Sequence, residues 1–61
     1  MTAEEAFDDC IKAAREGARR QRARMESERD ETMAALCNTA AITLNSFADM
    51  MEKMKAIRCK S

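Results

Sequence analysis

The second half of the chain, from Met33 to Ile57, carries an unbroken apolar row at helical spacing. Its members recur at alternating steps of four and three residues: Met33, Cys37, Ala40, Leu44, Phe47, Met51 and Met54. The row is flanked by Leu36, Thr43, Met50 and Ile57 on one side and by Ala34, Ala41 and Ala48 on the other. A helix face of this width must be covered by another element, because apolar surface is driven out of water.

The length of the chain limits what can provide that cover. A chain of 61 residues buries only about 60% of its unfolded surface and needs staples, a metal, regular helix packing or a partner. Three cysteines without a close pair, and no histidine, argue against a disulfide framework and against structural zinc. Regular helix packing and self-association remain, and no cofactor is expected.

The composition predicts an all-α protein without a membrane segment. There is no proline, one glycine and no valine, whereas alanine, glutamate, arginine, lysine and methionine dominate. No apolar stretch approaches the roughly 20 residues of a membrane span, and the acidic N-terminus lacks a signal-peptide core. We therefore expect a single cytoplasmic helical domain over residues 1–61.

A first helix is predicted over about residues 3–25. Thr2-Ala3-Glu4-Glu5 has the form of a capping box, and the acidic residues that follow suit the positive end of the helix dipole. The apolar stripe of this helix is thin and consists of Ala3, Phe7, Cys10, Ile11, Ala14, Gly17, Ala18 and Met25. Its small members would let another helix approach closely.

The stretch from about residue 26 to 31 is the predicted turn, because no apolar residue lies between Met25 and Met33. Ser27 or Asp30 can cap a second helix, predicted over about residues 32–58. No glycine or proline demands a turn here. Two architectures therefore compete: a helical hairpin, and a single long helix in an antiparallel coiled coil.

The charge distribution favours the hairpin over a parallel pair of long helices. The net charge is zero, but acidic residues crowd the start and basic residues the end. A hairpin sets Asp8 and Asp9 near Lys53, whereas parallel long helices would set like charges together. An antiparallel pair of long helices matches the charges equally well.

A hairpin of two helices cannot bury the whole face of the second helix. We expect a homo-oligomer, predicted to be a dimeric four-helix bundle, to cover the rest. The expected oligomer interface consists of Phe7, Ile11, Leu36, Ala40, Leu44, Phe47, Met50, Met51, Met54 and Ile57. Ala35 and Ile42 point away from this core and are candidate contacts to a further partner.

The sequence argues against an enzyme. With no histidine, the serines have no imidazole base, and no glycine-rich phosphate loop is present. The carboxylates near the start have the spacing of an exposed helix surface. Cys10 and Cys37 are expected to be small buried hydrophobes, and Cys59 to be accessible.

An arginine patch is the candidate ligand site. Arg15, Arg19 and Arg22 share one helical stripe, and arginine offers a bidentate fork for phosphate. A hairpin would set the patch beside a neutral stretch that includes Asn38 and Asn45, so the patch is expected to be uncompensated. A nucleotide or a nucleic-acid backbone could bind there.

Two functions that act by binding are compatible with these features, and a third possibility is a purely structural coiled-coil segment of a larger protein. The first is a non-enzymatic protein–protein interaction module, an adaptor, regulator or inhibitor, that acts as a homo-oligomer and docks on another protein. The second is a binder of a phosphate-bearing ligand. No motif ties the chain to a known family.

Overall fold

The chain forms a hairpin of two α-helices in a computed structural model that describes residues 1–59. Helix α1 spans Ala3–Ser27 and helix α2 spans Glu31–Arg58. The two helices pack side by side and antiparallel in a flat layer of 48 × 17 × 10 Å. The helical hairpin is therefore the fold, and the single long helix is excluded.

Both helices begin at side-chain caps. The Thr2 hydroxyl accepts from the Glu5 amide at 3.2 Å, and Asp30 Oδ1 accepts from the Thr32 amide at 2.9 Å. Each cap satisfies one of the amides that have no partner in the first turn of a helix. Of the two candidate caps for α2, Asp30 has this role, because Ser27 is the last residue of α1 and its hydroxyl donates to the Arg24 carbonyl.

The turn is short and contains no glycine. It consists of Glu28, Arg29 and Asp30, with extended backbone at Glu28 and Asp30. Glu28 Oε1 accepts from the amides of Arg29 and Asp30 at 3.1 and 3.2 Å. Carboxylates thus satisfy the amides of the turn, and no positive φ is required of the described residues.

Small side chains form the contact between the helices. The buried residues, all at 5% exposure or less, are Ala14, Ala18, Cys37, Ala41 and Ala48. At Gly17, a Cβ atom would meet Leu44 Cδ1 at 3.1 Å. The two backbones therefore approach closely, and no large side chain is fully buried in the described part of the chain.

This contact corrects the predicted orientation of α2. Ala41 and Ala48, expected to flank the apolar row, are fully buried, while Phe47 and Met54, expected in the row itself, are 42% and 39% exposed. The alanines face α1 because only small side chains permit the close approach. Cys10, expected to be buried, is exposed, whereas Cys37 is buried and Cys59 is half-buried.

Candidate functional site

The contact between α1 and α2 has two different margins. The first, which we call the charged edge, consists of Glu4, Asp8 and Arg15 of α1 and Asn45, Asp49, Glu52 and Lys55 of α2. The second, the apolar face, consists of Ala3, Ala6, Cys10, Ala13 and Gly17 of α1 and Leu36, Ala40, Thr43, Phe47, Met50, Met51, Met54 and Ile57 of α2. The two margins lie on opposite sides of the hairpin.

Arg15 is the centre of the charged edge. Its Nη1 donates to Asn45 Oδ1 at 3.2 Å, and its Nη2 donates to Asp49 Oδ1 at 2.7 Å and to Glu52 Oε1 at 3.2 Å. The hydrogen bond to Asp49, followed by that to Glu52, raises the pKa of Arg15 above its usual range. One side chain of α1 thus holds three polar groups of α2.

Lys55 closes the charged edge near the open end of the hairpin. Its Nζ donates to Asp8 Oδ1 at 2.6 Å and lies 3.9 Å from Glu4 Oε1. The hydrogen bond to Asp8 raises the pKa of Lys55 above 10.5. The acidic start does lie beside the basic end, but the residue that pairs with Asp8 is Lys55 and not the predicted Lys53.

Four members of the predicted anionic-ligand site are brought together. Arg15, Arg19, Arg22 and Asn45 line one open groove of about 200 Å³, together with Ala18. Asn38 is not among the residues that line it. The expectation of an uncompensated patch is wrong for Arg15, which is ion-paired to α2, while Arg19 and Arg22 are exposed.

The apolar face is open along the whole of α2. The exposed large side chains along its row are Leu36 at 59%, Phe47 at 42%, Met50 at 49%, Met54 at 39% and Ile57 at 76%. With Ala40 and Thr43 they recur at steps of four and three residues, the spacing of a helix-packing seam. Helix α2 therefore has a regular row of large apolar side chains that α1 of the same chain does not cover. We call this row the seam.

Helix α1 adds a row of small residues to this face. Ala3, Ala6, Phe7 and Cys10 line a shallow groove of about 180 Å³ with Met51, and its lining is wholly apolar. Ala13 and Gly17 continue the row at helical spacing, and Gly17 lies against Leu44. The apolar face thus consists of mostly small side chains on α1 and mostly large side chains on α2.

The remaining predicted contact residues lie on the apolar face, at the charged edge and on the outer surface of α2. Phe7, Ala40, Leu44 and Met51 are half-buried on the apolar side. Ile11 instead lines an open groove of about 500 Å³ at the charged edge, with Asp8 and Lys55. Ala35 and Ile42 are exposed on the outer surface of α2, where Ile42 is 54% exposed.

The prediction from sequence missed the charged edge of α2. Asn45, Asp49 and Glu52 recur at steps of four and three residues, which places them on one side of the helix. That periodic polar row, opposite an arginine on α1, is the signal that could have identified the pairing.

Comparison with protein-family models, with curated proteins and with solved structures found no match. Within residues 1–59, no three histidine, cysteine or acidic side chains cluster as metal ligands would. Neither of the two helices, over that same range, is long and apolar enough to cross a membrane.

Proposed function

We propose that this chain is a non-enzymatic protein–protein interaction module that works as a homo-oligomer. One observation carries the proposal: five large apolar side chains of α2, 39–76% exposed, form a regular seam that the hairpin leaves uncovered. An exposed apolar surface of this extent and regularity marks an interaction site.

The sparse interior of the hairpin supports self-association. Within residues 1–59 the buried side chains are four alanines and one cysteine, and such a core supplies little of the burial that a 61-residue domain needs. The face of the hairpin measures 48 × 17 Å between Cα atoms. The projected outline of this side is about 800 Å², which is large enough to hold an interface of ordinary size.

The outer surface of α2 is the proposed docking site for another protein. Ile42 is 54% exposed there, and Ala35 lies one heptad before it. These residues stay accessible when the apolar face is covered, because they lie on the other side of α2. The proposed oligomer would thus present two copies of this surface.

The matched variants Phe47→Asp and Ile42→Asp test the proposal. Both place a carboxylate on an exposed apolar position of the same helix. Phe47→Asp should reduce self-association about a hundredfold or more, because it buries a charge in the seam. Ile42→Asp should leave the oligomer intact and remove binding of a partner protein. Light scattering across a concentration series gives the stoichiometry, and circular dichroism gives the helicity.

Each alternative result has a defined meaning. A wild-type chain that stays monomeric and helical at every concentration would overturn the homo-oligomer. Loss of the oligomer in Ile42→Asp, with Phe47→Asp unaffected, would move the interface to the outer surface of α2.

The second candidate function is binding of a phosphate-bearing ligand, and one observation favours it. The guanidinium groups of Arg19 and Arg22 share a groove with Asn45 and are exposed. Titration with inorganic phosphate, a nucleoside triphosphate and a mixed oligonucleotide at two salt concentrations tests it. Binding should be lost in Arg19→Gln with Arg22→Gln and kept in the control Arg29→Gln with Lys53→Gln. The absence of saturable binding would contradict this function.

A further inference from the structure

We infer that the apolar face is covered by a second copy of this chain in an antiparallel orientation, with α2 on α2 and α1 on α1. A two-fold axis runs across the two hairpins and sets the turn of one beside the open end of the other. This inference rests on the proposed self-association and adds its orientation and its register.

The sizes of the side chains along the row of α2 favour this orientation. An axis at the level of Asn45 sets Leu36 opposite Met54 of the second copy. It also sets the small Ala40 opposite Met50 and the small Thr43 opposite Phe47 of the second copy. In two of these three pairs a small residue thus faces a large one, which favours close packing.

The same axis fixes which parts of α1 meet. Arg15 contacts Asn45, and Gly17 lies against Leu44, so residue 16 of α1 is level with the axis. Two antiparallel copies of α1 then place Asp9 level with Ala23 of the second copy, between Arg20 and Arg24. The offset along the helix is about 4.5 Å to Arg20 and about 1.5 Å to Arg24, which an arginine side chain spans.

The charges that meet there have no partner within the described chain. Asp9, Arg20 and Arg24 are exposed, and the ion pairs formed among residues 1–59 involve none of them. Asp9 cannot reach Arg20 of its own helix, because eleven residues separate them by about 16 Å. Arg20 and Arg24 lie one heptad beyond Ala13 and Gly17 and so flank the apolar face.

The other two-fold arrangement leaves Arg20 and Arg24 without acidic partners. An axis along the hairpin would lay α1 over α2 of the second copy, with both open ends together. Arg20 and Arg24 would then lie over the segment of the second copy that contains Leu36 and Ala40. Desolvation of unpaired guanidinium groups against apolar side chains is unfavourable. The arrangement with α1 on α1 and α2 on α2 avoids this cost, because it pairs these groups with Asp9 of the second copy.

A charge-swap experiment on the full chain tests the orientation. Asp9→Arg sets like charges together at both symmetric contacts, and Arg20→Glu with Arg24→Glu does the same. Each variant alone should self-associate about tenfold or more weakly than wild type. Mixed together they should form a heterodimer of near wild-type affinity, because both contacts are then between opposite charges. Sedimentation velocity with one variant fluorescently labelled measures each affinity.

A control pair separates this contact from net charge. Glu26→Arg carries the same net charge as Asp9→Arg, and Arg19→Glu with Arg22→Glu, on the side of Asn45, the same as the second variant. These exposed positions lie away from the apolar face, so the control pair should self-associate like wild type and show no preference for the mixture.

The outcomes distinguish this inference from the proposed function. A monomeric wild-type chain would overturn both. A wild-type dimer with swapped variants that self-associate normally, or a control mixture that gains as much affinity, would overturn the antiparallel register and leave self-association standing.

Discussion

The charged edge and the apolar face border the same helix contact, yet they are completed in different ways. At the charged edge, Arg15 reaches three polar groups of α2 and Lys55 reaches Asp8, so the groups find their partners within one chain. On the apolar face, Phe47, Met50 and Ile57 find none. The comparison suggests that the first margin aligns the helices and that the second margin makes the assembly.

The energetics of the two margins differ accordingly. Solvent-exposed ion pairs contribute little to stability, because water and salt screen them. Full burial of a large apolar side chain contributes about 1.5–3 kcal/mol. We therefore expect the charged edge to select the rotation and the register of α2, and coverage of the apolar face to supply most of the stability.

The largest change should come from filling the contact that lies between the two margins. Ala41 has 0% exposure, so Ala41→Leu forces the helices apart and should lower the free energy of unfolding by about 1–3 kcal/mol. Ala35→Leu makes the same change at an exposed position of α2 and should stay within about 0.5 kcal/mol of wild type. Urea denaturation followed by circular dichroism measures both. Equal stability of the two variants would contradict the close approach at Ala41.

A smaller change of opposite sign is expected at Gly17, where the contact borders the apolar face. Gly17→Ala should raise the free energy of unfolding by up to about 1 kcal/mol, because alanine favours the helix interior. The new Cβ would lie 3.1 Å from Leu44 Cδ1, and half-buried Leu44 can rotate away. The measurement should compare Phe47→Asp with the double variant Phe47→Asp and Gly17→Ala, because the apolar face stays uncovered in both. A decrease there would show that Leu44 is held in place by the hairpin itself.

The smallest effect should come from the charged edge at high pH. The pKa of Lys55 is raised above 10.5 by its hydrogen bond to Asp8, so folding favours the protonated amine. The stabilisation is complete below 10.5 and is lost as the pH rises through the raised value. The Tm of wild type should therefore fall slightly more than that of Lys55→Gln as the pH rises above about 10.5, the pKa of lysine in the unfolded chain. Parallel curves would contradict a contribution from this pair.

The helix starts were accessible from the sequence because local features determine them, whereas the charge pattern excluded only a parallel pair of long helices and left the hairpin and an antiparallel pair open. Thr2 and Asp30 are caps that act within three residues, and the separation of acidic from basic residues depends only on which ends meet. The turn was harder to place, because carboxylates complete it where glycine or proline would have marked it.

The rotation of α2 was not accessible from the sequence, because more than half of the circumference of this helix is apolar. Two rows of this helix have the spacing expected of a helix-packing surface: one through Ala41 and Ala48, and one through Phe47 and Met54. The choice depends on close approach to Ala14 and Ala18 and on the pairing of Arg15 with Asp49. Both require the tertiary register, which a helical pattern alone does not contain.

Sedimentation equilibrium of the wild-type chain tests the central claim, that the apolar face is an interface between copies, most directly. The account predicts a mass that rises with concentration to about twice the 6.9 kDa of the single chain, with helicity retained throughout. A mass of 6.9 kDa at every concentration, in a chain that is fully helical, would contradict it.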